Sequence, residues 1–394
     1  MNNSITVLKK EECFGCRSCE QICPQNCISI LPDTEGFLYP QINSDLCINC
    51  GLCLKHCPSV CAVKHEGYPK ALGLKLKDEK ELSESASGGV FAGVANYIIE
   101  NKGVVFGCAF NDNLQAQHIK VESKEVLKSL KGSKYVTSNT LQTYKEVSAT
   151  LKSNPDKLVF YSGTPCQIHG LYSFLGFHPE NLLTADIICH GVPSQKLFDK
   201  YIKWLSLKLK GEITYIGFRD KDISGWTCKG KAKTKFKTKK IYGAVDPYYS
   251  SFLYGNIYRH SCYQCPFTDI KKRAADITMG DFWGIENINS KFYSSKGVSC
   301  CLLNSEKGKM FFEKVRNNYE SIETTIEDVT IRNYNLLRPT KKPPVRDTIY
   351  NGIDDMSIEK YIKKLYAPLP KRVIRFIISV IPENIKILIK RILH

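Results

Sequence analysis

The sequence CFGCRSCEQICP at positions 13–24 has the cysteine spacing C-x2-C-x2-C-x3-C-P, and CINCGLCLKHCP at positions 47–58 repeats it. Three cysteines two residues apart wrap a loop around one iron–sulfur cubane. The fourth, past a turn, ligates the other cubane where two such motifs share a fold. The sequence therefore predicts two [4Fe-4S] clusters. The first has the ligands Cys13, Cys16, Cys19 and Cys57, and the second has Cys23, Cys47, Cys50 and Cys53.

This spacing is typical of two-cluster ferredoxins, and it predicts that fold over residues 1–64. Zinc is the alternative. Zinc sites normally take two cysteines from each knuckle, however, and a third thiolate two residues further on suits a cubane better. Cys27 and Cys61 each follow a fourth ligand by four residues. They are interpreted as small packed thiols.

The chain has 394 residues, with 56 Lys and Arg against 39 Asp and Glu, so its formal net charge is +17. That length predicts two or three domains. The first residues, MNNSITVLKK, contain no long apolar stretch and no small-residue cleavage site, so we expect no secretory signal and a cytoplasmic chain. Eighteen cysteines in a reducing compartment favour metal ligation or redox chemistry over disulfides, and ten of them precede residue 62.

The sequence turns polar and lysine-rich between residues 65 and 80, which predicts a linker, a strand entering a new domain, and a boundary near residue 65. Beyond it, strand-like segments alternate with helical ones at 90–100 and 141–152. The predicted strands are 104–110, 158–161, 182–188, 213–218, 277–279 and 298–303. This alternation predicts a mixed α/β domain over residues 65–345, so the whole chain is expected to be α+β.

No G-x-G-x-x-G follows a strand and no G-x-x-x-x-G-K-[ST] occurs, so neither the Rossmann fingerprint nor a P-loop is present. Three Gly- and Ser-rich turns could hold a phosphate instead: 87–89 ahead of a helix, 131–135, and 162–166 at a strand-to-helix junction. Backbone N–H groups at a helix start, with a lysine nearby, suit phosphate. Turns of this kind are more often only turns.

Four cysteines outside the first module are candidates for a third cubane, because two lie at helix or strand ends and two form a C-x2-C pair. They are Cys166, Cys189, Cys262 and Cys265. Buried thiols and a zinc site are alternatives, since C-x2-C alone is a common metal knuckle. A catalytic thiol at Cys166 is a further alternative, because a helix N-terminus lowers the pKa of a thiol.

Over about residues 65–340, a series of motifs resembles the beta-subunit family of coenzyme F420 hydrogenases and dehydrogenases. The motifs are SGGVFAGVANYIIENKGVVFGCAF, KGSKY, VFYSGTPCQIHGL, DIICHGVPS, FRDKDISGW, SCYQCPF and RAADITMGDFWGI. The resemblance implies FAD beside the iron–sulfur clusters, with electrons passing singly through the clusters and in pairs at the flavin. It leaves the hydride partner open, because members use a deazaflavin, a tetrapyrrole or unknown acceptors. The sequence departs from the pattern at His169, where a small residue is expected.

The resemblance also implies an FAD-binding set and a core cluster on the four cysteines named above. The FAD-binding set is Ser87, Gly88, Gly89, Lys131, Ser133, Lys134, Tyr135 and Thr164, with Asp281 lining the flavin region or supporting it. Asp281 could equally be a structural cap, and Trp283 a plain core residue. No residue is assigned a catalytic role.

Seven lysines between positions 229 and 240 alternate with small or apolar residues, a pattern that predicts a strand with one face in solvent. The favoured interpretation is a charged edge strand that resists aggregation. Docking of an acidic ferredoxin or flavodoxin is the alternative. Nucleic acid is not expected as a partner, because no groove-reading motif accompanies the charge.

Residues 346–394 are interpreted as a basic amphipathic C-terminal tail. The last of them, KRVIRFIISVIPENIKILIKRILH, form two apolar helical stretches split by Pro382 and interrupted by Lys and Arg. Each stretch is far shorter than the roughly 20 apolar residues that span a bilayer. We expect a peripheral contact with anionic lipid at the inner face of the membrane, with a docking helix for a partner protein as the alternative.

Together these features predict an iron–sulfur flavoprotein oxidoreductase. It would pass electrons between a redox partner protein, such as a ferredoxin, a flavodoxin or another oxidoreductase subunit, and a small-molecule two-electron substrate at FAD. One alternative is a non-catalytic electron-carrier subunit that has lost the flavin site. A second is a cysteine-rich zinc protein with a scaffolding or nucleic-acid role.

Overall fold

The computed structural model describes residues 4–61, 69–381 and Ile385. The predicted boundary near residue 65 and most of the second apolar stretch of the tail, including Pro382, lie outside the described residues.

The cysteine-rich module is built from two short helices and an antiparallel hairpin. The helices are α1 (Ser18–Ile22) and α2 (Leu52–Lys55), and the hairpin pairs β1 (Ile28–Pro32) with β2 (Leu38–Ile42). Each helix carries the third cysteine of its motif and follows a loop that carries the first two. This arrangement confirms the predicted ferredoxin-like fold.

A larger sheet domain follows the module. Its strands are β3 (Lys70–Leu76), β4 (Val104–Phe110), β5 (Ala116–Val121), β6 (Val159–Gly163), β7 (Leu182–Ile187), β8 (Tyr215–Gly217), β9 (Lys229–Lys233), β10 (Thr238–Tyr242), β11 (Ile277–Asp281), β12 (Ser299–Leu303) and β13 (Tyr319–Thr324).

Helices cover both faces of this sheet. They are α3 (Glu79–Glu84), α4 (Val90–Glu100), α5 (Lys124–Leu127), α6 (Thr143–Ser153), α7 (Pro165–Leu175), α8 (Gln195–Leu209), α9 (Lys221–Ser224), α10 (Pro247–Leu253), α11 (Ile285–Ile288), α12 (Glu306–Val315), α13 (Ile326–Thr330), α14 (Arg346–Ile349), α15 (Ile358–Leu365) and α16 (Leu369–Val380). Short 3-10 helices lie at Ile5–Val7, Lys10–Glu12, Lys128–Leu130, His260–Gln264, Pro266–Thr268, Ile270–Lys272, Arg316–Asn318 and Tyr334–Leu336. Several helices begin where an Asp or Ser side chain accepts from a backbone N–H, as Asp78, Ser194, Asp246 and Ser305 do.

The main sheet has the strand order β13-β3-β12-β11-β7-β6-β4-β5. Its centre is parallel, because β11 pairs with β7, β7 with β6 and β6 with β4 in that sense, whereas the outer pairs are antiparallel. The central strands β6 and β7 are apolar runs buried on both faces, as parallel strands covered by helices must be. The mixed α/β prediction is confirmed.

The predicted elements fit the observed ones closely at the centre of the sheet. The bounds of β4 and α4 agree with the predicted segments at both ends, and β6, β7, β11 and β12 lie within two residues of them at each end. The predicted strand 213–218 shortens to β8 (Tyr215–Gly217). Strands β5 and β13 were not predicted, because charged and polar residues interrupt their apolar pattern.

The lysine-rich segment forms β9 and the edge strand β10 of a three-stranded antiparallel sheet, in the order β10-β9-β8. Ala232 and Ile241 point inward, whereas the alternating lysines face outward or lie along the surface. Lys231 pairs with Asp220 at 2.6 Å and with Asp222 at 3.1 Å. The alternation therefore has a structural cause, one buried face and one charged face.

Residues 346–365 pack into the core rather than forming part of a free tail. Tyr350, Tyr361 and Ile362 are buried in one cluster with α8 and α10. The exposed amphipathic segment begins at α16, where Val373, Ile374, Phe376, Ile377 and Ile378 are exposed. Among the described residues, no helix combines the length and the apolar character needed to cross a membrane.

The cysteine-rich module packs directly on the sheet domain. At Gly170 of α7 a Cβ atom would lie 2.8 Å from the Cβ of Cys16, so only glycine permits this approach. The buried Arg346 donates to both carboxylate oxygens of Glu35, at 2.9 and 2.5 Å. A polar link is added by Tyr144, whose backbone N–H donates to the Gln21 side chain at 3.0 Å.

Candidate functional site

A cavity of about 330 Å³ opens at the carboxyl ends of the parallel strands. Thr164 follows β6, Cys189 follows β7 and Asp281 ends β11, so three residues that are distant in sequence meet at one edge. Ligands of open α/β sheets bind in such crevices outside the carboxyl ends of strands. The fold therefore places this cavity where a cofactor is expected.

The two cysteine motifs are interleaved in space. One cavity is lined by the quartet Cys13, Cys16, Cys19 and Cys57, which we call the first quartet. A second, smaller cavity is lined by Cys27 and by the quartet Cys23, Cys47, Cys50 and Cys53, which we call the second quartet. Each motif thus contributes its fourth cysteine to the other group, as the spacing predicts for two cubanes.

Burial dominates the electrostatics of the first quartet. It raises the pKa of the Cys16 thiol well above its usual range, and the neighbouring Cys57, Cys19 and Cys13 thiols raise it further. Burial also raises the pKa of the Cys19 and Cys57 thiols, so these three thiols resist ionisation unless positive charge joins them. This donor set is suited to iron, whose charge compensates four thiolates.

The cysteines Cys166, Cys189, Cys262 and Cys265, the third quartet, are also brought together. Burial raises the pKa of Cys189 well above its usual range, and the nearby thiols of Cys262, Cys166 and Cys265 act in the same direction. Burial raises the pKa of Cys262 to about 11.

Cys166 lies in the first turn of α7, and burial raises the pKa of its thiol too. A helix N-terminus alone would lower that pKa, so burial outweighs the helix here. An activated nucleophilic thiol at this position is therefore disfavoured.

The glycines ahead of α4 have different surroundings. Ser87 and Gly89 line the cavity, whereas Gly88 lies behind its wall and donates its backbone N–H to Ser299 Oγ at 2.8 Å. A Cβ atom on Gly88 would lie 2.1 Å from the Leu74 carbonyl oxygen. Gly88 is therefore required by the contact between the turn and the sheet.

The loop 131–135 forms a second part of the cavity wall. Lys131 turns its ammonium group to Glu81 and Glu84, at 2.7 and 3.1 Å. Within the described part of the chain, Lys134 donates to the carbonyl oxygens of Ser129 and Lys131, each at 2.8 Å. Burial lowers the pKa of Lys134 to about 8.

Gly132 and Ser133 lie between these lysines and also line the cavity. Gly132 has a φ of +80°, and nothing lies within 4 Å of the position that its Cβ would occupy. The Tyr135 ring stacks on Phe252 with centroids 4.2 Å apart. The loop is therefore anchored at Tyr135 and open at Gly132.

Thr164 caps α7 and borders the cavity. Its backbone N–H donates to Gln167 Oε1 at 2.9 Å in a capping box, and its hydroxyl lies 3.1 Å from Cys166 Sγ. A cap of this kind fixes the first turn of the helix. Thr164 therefore orients a cysteine of the third quartet.

Asp281 is held by two neighbours. Arg219 donates to its carboxylate at 2.7 and 3.1 Å, and Trp226 Nε1 donates at 2.6 Å. Burial acts to raise the pKa of Asp281, but the Arg219 charge and these hydrogen bonds outweigh it and lower the pKa. The Trp226 ring stacks on Trp283 with centroids 4.7 Å apart, so this group forms a rigid side of the cavity.

Two histidines line the cavity, and one of them, His118, was not predicted as a site residue. His118 is fully buried on β5, near Ser138 Oγ at 2.7 Å and the Ser162 carbonyl oxygen at 3.0 Å. Burial lowers its pKa to about 4, so the ring is neutral at pH 7. His190 follows Cys189, and burial lowers its pKa as well. A histidine after a strand is a weak sequence signal, and β5 itself was not predicted.

The first quartet and the cavity are neighbours. Phe14 and Gly15, from the loop between Cys13 and Cys16, line the cavity together with Cys166 and Cys189. The Phe14 ring contacts Phe267 edge to face, with centroids 4.9 Å apart. The fold thus brings together two cysteine quartets and a ligand-sized crevice.

Among the described residues, no group of three or more His, Cys, Asp or Glu side chains is placed to hold a single metal ion. The cysteine quartets are nevertheless the donor type that iron–sulfur clusters require. With the ferredoxin-like fold, they define the class of this chain, an iron–sulfur redox protein.

Comparisons with known proteins place that class more narrowly. Residues 156–328 match the family described as the C terminus of the beta subunit of "Coenzyme F420 hydrogenase/dehydrogenase", and residues 12–61 match the "4Fe-4S dicluster domain". Residues 156–328 are thus similar to the C terminus of that beta subunit, and an N-terminal [4Fe-4S] dicluster domain precedes them. The chain is an iron–sulfur redox subunit related to that beta subunit.

The similar curated proteins match the cysteine-rich module. "Ferredoxin 7Fe" of Hydrogenibacillus schlegelii is 40% identical over 60 residues, which are 15% of this chain and 69% of that protein. "Pyruvate synthase subunit PorD" of Methanothermobacter marburgensis is 39% identical over 59 residues, 15% of this chain and 62% of that protein. "Ferredoxin-type protein NapF" of Escherichia coli K12 is 42% identical over 43 residues, which are 11% of this chain and 26% of that protein. The chain thus spans about a quarter of the length of NapF.

Among solved structures, the chain is similar to one from the F420-reducing [NiFe] hydrogenase complex of Methanosarcina barkeri. The TM-score is 0.47 at 15% sequence identity, over 77% of this chain and 91% of that chain.

Proposed function

We propose that this chain is an iron–sulfur flavoprotein oxidoreductase. Electrons would pass singly between a partner protein and the three cysteine quartets, each holding a [4Fe-4S] cluster, and in pairs between FAD and a small-molecule substrate. One observation carries this proposal: residues of the first quartet's loop and of the third quartet line the same crevice. A chain that only carried electrons would not need such a crevice beside its cysteines.

The residues of the crevice fit FAD. Its volume of about 330 Å³ lies within the usual range for ligand sites. Glu81 and Glu84 neutralise Lys131, whereas Lys134 has no carboxylate partner among the described residues and can face a pyrophosphate. The open cradle at Gly132 allows a close approach of ligand to backbone.

When bound, FAD supplies the conversion between a hydride and two single electrons. The chain's own residues would position it. Thr164 and the Asp281–Arg219 pair fix two sides of the crevice, and Ser87, Gly89 and the loop 131–135 form the rest. Gly88 would support this wall from behind. The substrate is proposed to be a deazaflavin or another two-electron acceptor.

The second quartet is the proposed contact for the partner protein. Cys50 is exposed, and Leu46 and Ile48 beside it are more than half exposed. A ferredoxin, a flavodoxin or another oxidoreductase subunit would dock here. The proposed domains are residues 1–64, 65–345 and 346–394, the last of which includes α14 and α15 packed on the core.

A peripheral membrane contact is proposed for α16. Its exposed side chains Ile374, Ile377 and Ile378 lie beside Arg372 and Arg375, which suits anionic lipid. The full chain should sediment with anionic vesicles, and Ile374→Ser with Ile378→Ser should abolish this. Equal binding to neutral vesicles, or no loss in the double variant, would contradict the proposal.

Metal and flavin analysis of the full chain, purified without oxygen, tests the proposed function. We expect about twelve iron and twelve sulfide per chain, for three cubanes, and about one FAD. Cys189→Ser should lower the iron content by about a third. Intact clusters with no FAD would indicate an electron-carrier subunit, and a colourless zinc-containing protein would contradict the redox function altogether.

A further inference from the structure

Arg259 is a fully buried arginine with its guanidinium group against the first quartet. Its Nε donates to the Cys13 carbonyl oxygen at 2.7 Å, and Nη2 donates to the Leu38 carbonyl oxygen at 2.9 Å. The same Nη2 lies 3.4 Å from Cys13 Sγ, within hydrogen-bond range for sulfur. The guanidinium also covers the Tyr39 ring, 3.9 Å from its centroid.

The charge of this guanidinium has no carboxylate partner in residues 4–61 and 69–381. None of the described residues forms an ion pair with Arg259, and its Nη1 atom is buried without a hydrogen-bond partner among them. Nη1 faces Gly15, where a Cβ atom would lie 3.1 Å away. A buried cation without a counter-ion is costly unless negative charge lies beside it. Thiolates of the first quartet would supply that charge.

The backbone of Arg259 is tied to the third quartet. Its N–H donates to the Val192 carbonyl oxygen at 2.9 Å, and its own carbonyl accepts from the Cys262 N–H at 3.0 Å. Arg259 is thus anchored beside one cysteine group and reaches into another.

We propose that Arg259 is a positioning residue that raises the reduction potential of the cluster on the first quartet. Hydrogen bonds to ligand sulfur and nearby positive charge both stabilise the reduced, more negative form of a cluster. The second quartet is partly exposed and receives no such contact from Arg259. A higher potential favours electron transfer onto the first-quartet cluster, with no bond made or broken. This inference rests on the proposed function.

Redox titration of the anaerobically purified full chain, followed by electron paramagnetic resonance, tests this role. In Arg259→Gln we expect the largest fall in potential in the cluster signal that Cys13→Ser alters or removes. The third-quartet signal should fall less, because the Arg259 charge also acts on Cys166 and Cys262. Arg259→Lys retains the charge but cannot make all three contacts, so its shift should be smaller in the same direction. Iron content is measured for every variant.

Arg346→Gln is the matched control. Arg346 is buried at the same interface but pairs with Glu35 and contacts no cysteine sulfur. The Arg346→Gln substitution should lower the stability of the folded chain and leave every cluster potential unchanged. An equal shift in Arg346→Gln, or no shift in an iron-replete Arg259→Gln, would overturn the inference.

Two further outcomes are distinguishable. If Arg259→Gln loses iron, the titration of Arg259→Lys decides: a downward shift supports the role, and an unchanged potential overturns it. If the unaltered chain binds no iron, the proposed function itself fails. If it binds iron and only the shift is missing, the inference alone fails.

Discussion

At the scale of single residues, the buried cations of the crevice are of two kinds. Arg219 is compensated by Asp281, whereas the partners of Lys134 among the described residues are carbonyl oxygens. The Arg219–Asp281 ion pair stabilises the fold without a ligand. The charge of Lys134 is available to pair with an anionic ligand, as expected of a phosphate-binding lysine.

Asp281→Asn should destabilise the chain by about 3 kcal/mol, because it leaves Arg219 as a buried, unpaired charge. Thermal or urea unfolding of the variant measures the effect. The double variant Asp281→Asn with Arg219→Met should recover much of the loss. Unchanged stability in the single variant would show that the ion pair does not support the fold.

Lys134→Met should weaken FAD binding by about tenfold or more, since a charge-assisted hydrogen bond contributes about 1.5–3 kcal/mol. Equilibrium dialysis or flavin fluorescence measures the dissociation constant. Lys131→Met should weaken binding less, because the ammonium group of Lys131 is already bound by Glu81 and Glu84. Equal loss of affinity in both variants would contradict a specific role for Lys134.

Lys221 predicts a pH dependence of stability. Burial lowers its pKa to about 7, from an ordinary value of 10.5. Between these values the unfolded chain binds more protons than the folded chain, so this residue makes stability rise with pH across that window. The penalty is fully present below about pH 7.

Urea unfolding of the cofactor-free chain between pH 7 and 8.5 measures this effect. Lys221→Met should flatten the rise relative to the unaltered chain. The exposed Lys152→Met should not. Identical pH profiles for all three proteins would rule out the buried-amine explanation.

At the scale of elements, α7 connects the site to the fold. Its N-terminal cap, Thr164, orients Cys166, and its glycine, Gly170, admits the Cys16 loop. A single helix therefore sets the relation between two cysteine quartets. The geometry of the first turn of α7 should depend on its N-terminal cap, Thr164.

Thr164→Ala should cost about 1 kcal/mol of stability, because it removes the hydroxyl contacts with Gln167 Oε1 and Cys166 Sγ. Calorimetry measures this cost, and iron analysis shows whether the third quartet still binds its cluster. Thr164→Ser retains the hydroxyl and should restore both properties. If both variants contain as much iron as the unaltered chain, the cap is not needed for cluster binding.

The sequence predicted the elements whose pattern is unambiguous. The apolar runs of β6 and β7 and the helix α4 follow from local periodicity, and the two cysteine motifs follow from spacing alone. Strands β5 and β13 were not predicted, because their polar residues obscure the alternation of apolar and polar positions until neighbouring strands are known. His118 lies on β5 and was therefore not predicted either.

Other features depend on tertiary contacts that no local pattern reports. Arg259 lies near a C-x2-C pair in sequence, yet nothing there predicts its contact with Cys13. Gly88 was grouped with Ser87 and Gly89 as a phosphate turn, but packing on the sheet explains it. The burial of residues 346–365 follows from their fit to α8 and α10.

At the scale of the whole molecule, the chain joins a cysteine-rich module to a sheet domain with a crevice at their contact. The second quartet lies toward solvent, and the first lies against α7 and the crevice. This order gives the proposed route from partner protein to flavin. Buried contacts such as Arg346 with Glu35 hold the two parts in that order.

Rapid mixing of the oxidised full chain with reduced ferredoxin, followed by the flavin absorbance without oxygen, tests the route directly. We predict fast bleaching in the unaltered chain and in Cys61→Ser, whose cysteine is exposed and outside the quartets. Cys16→Ser, with its FAD retained, should bleach at least about tenfold more slowly, because its first-quartet cluster lacks one of four ligands. Equal bleaching rates in all three proteins would contradict electron flow through the first quartet.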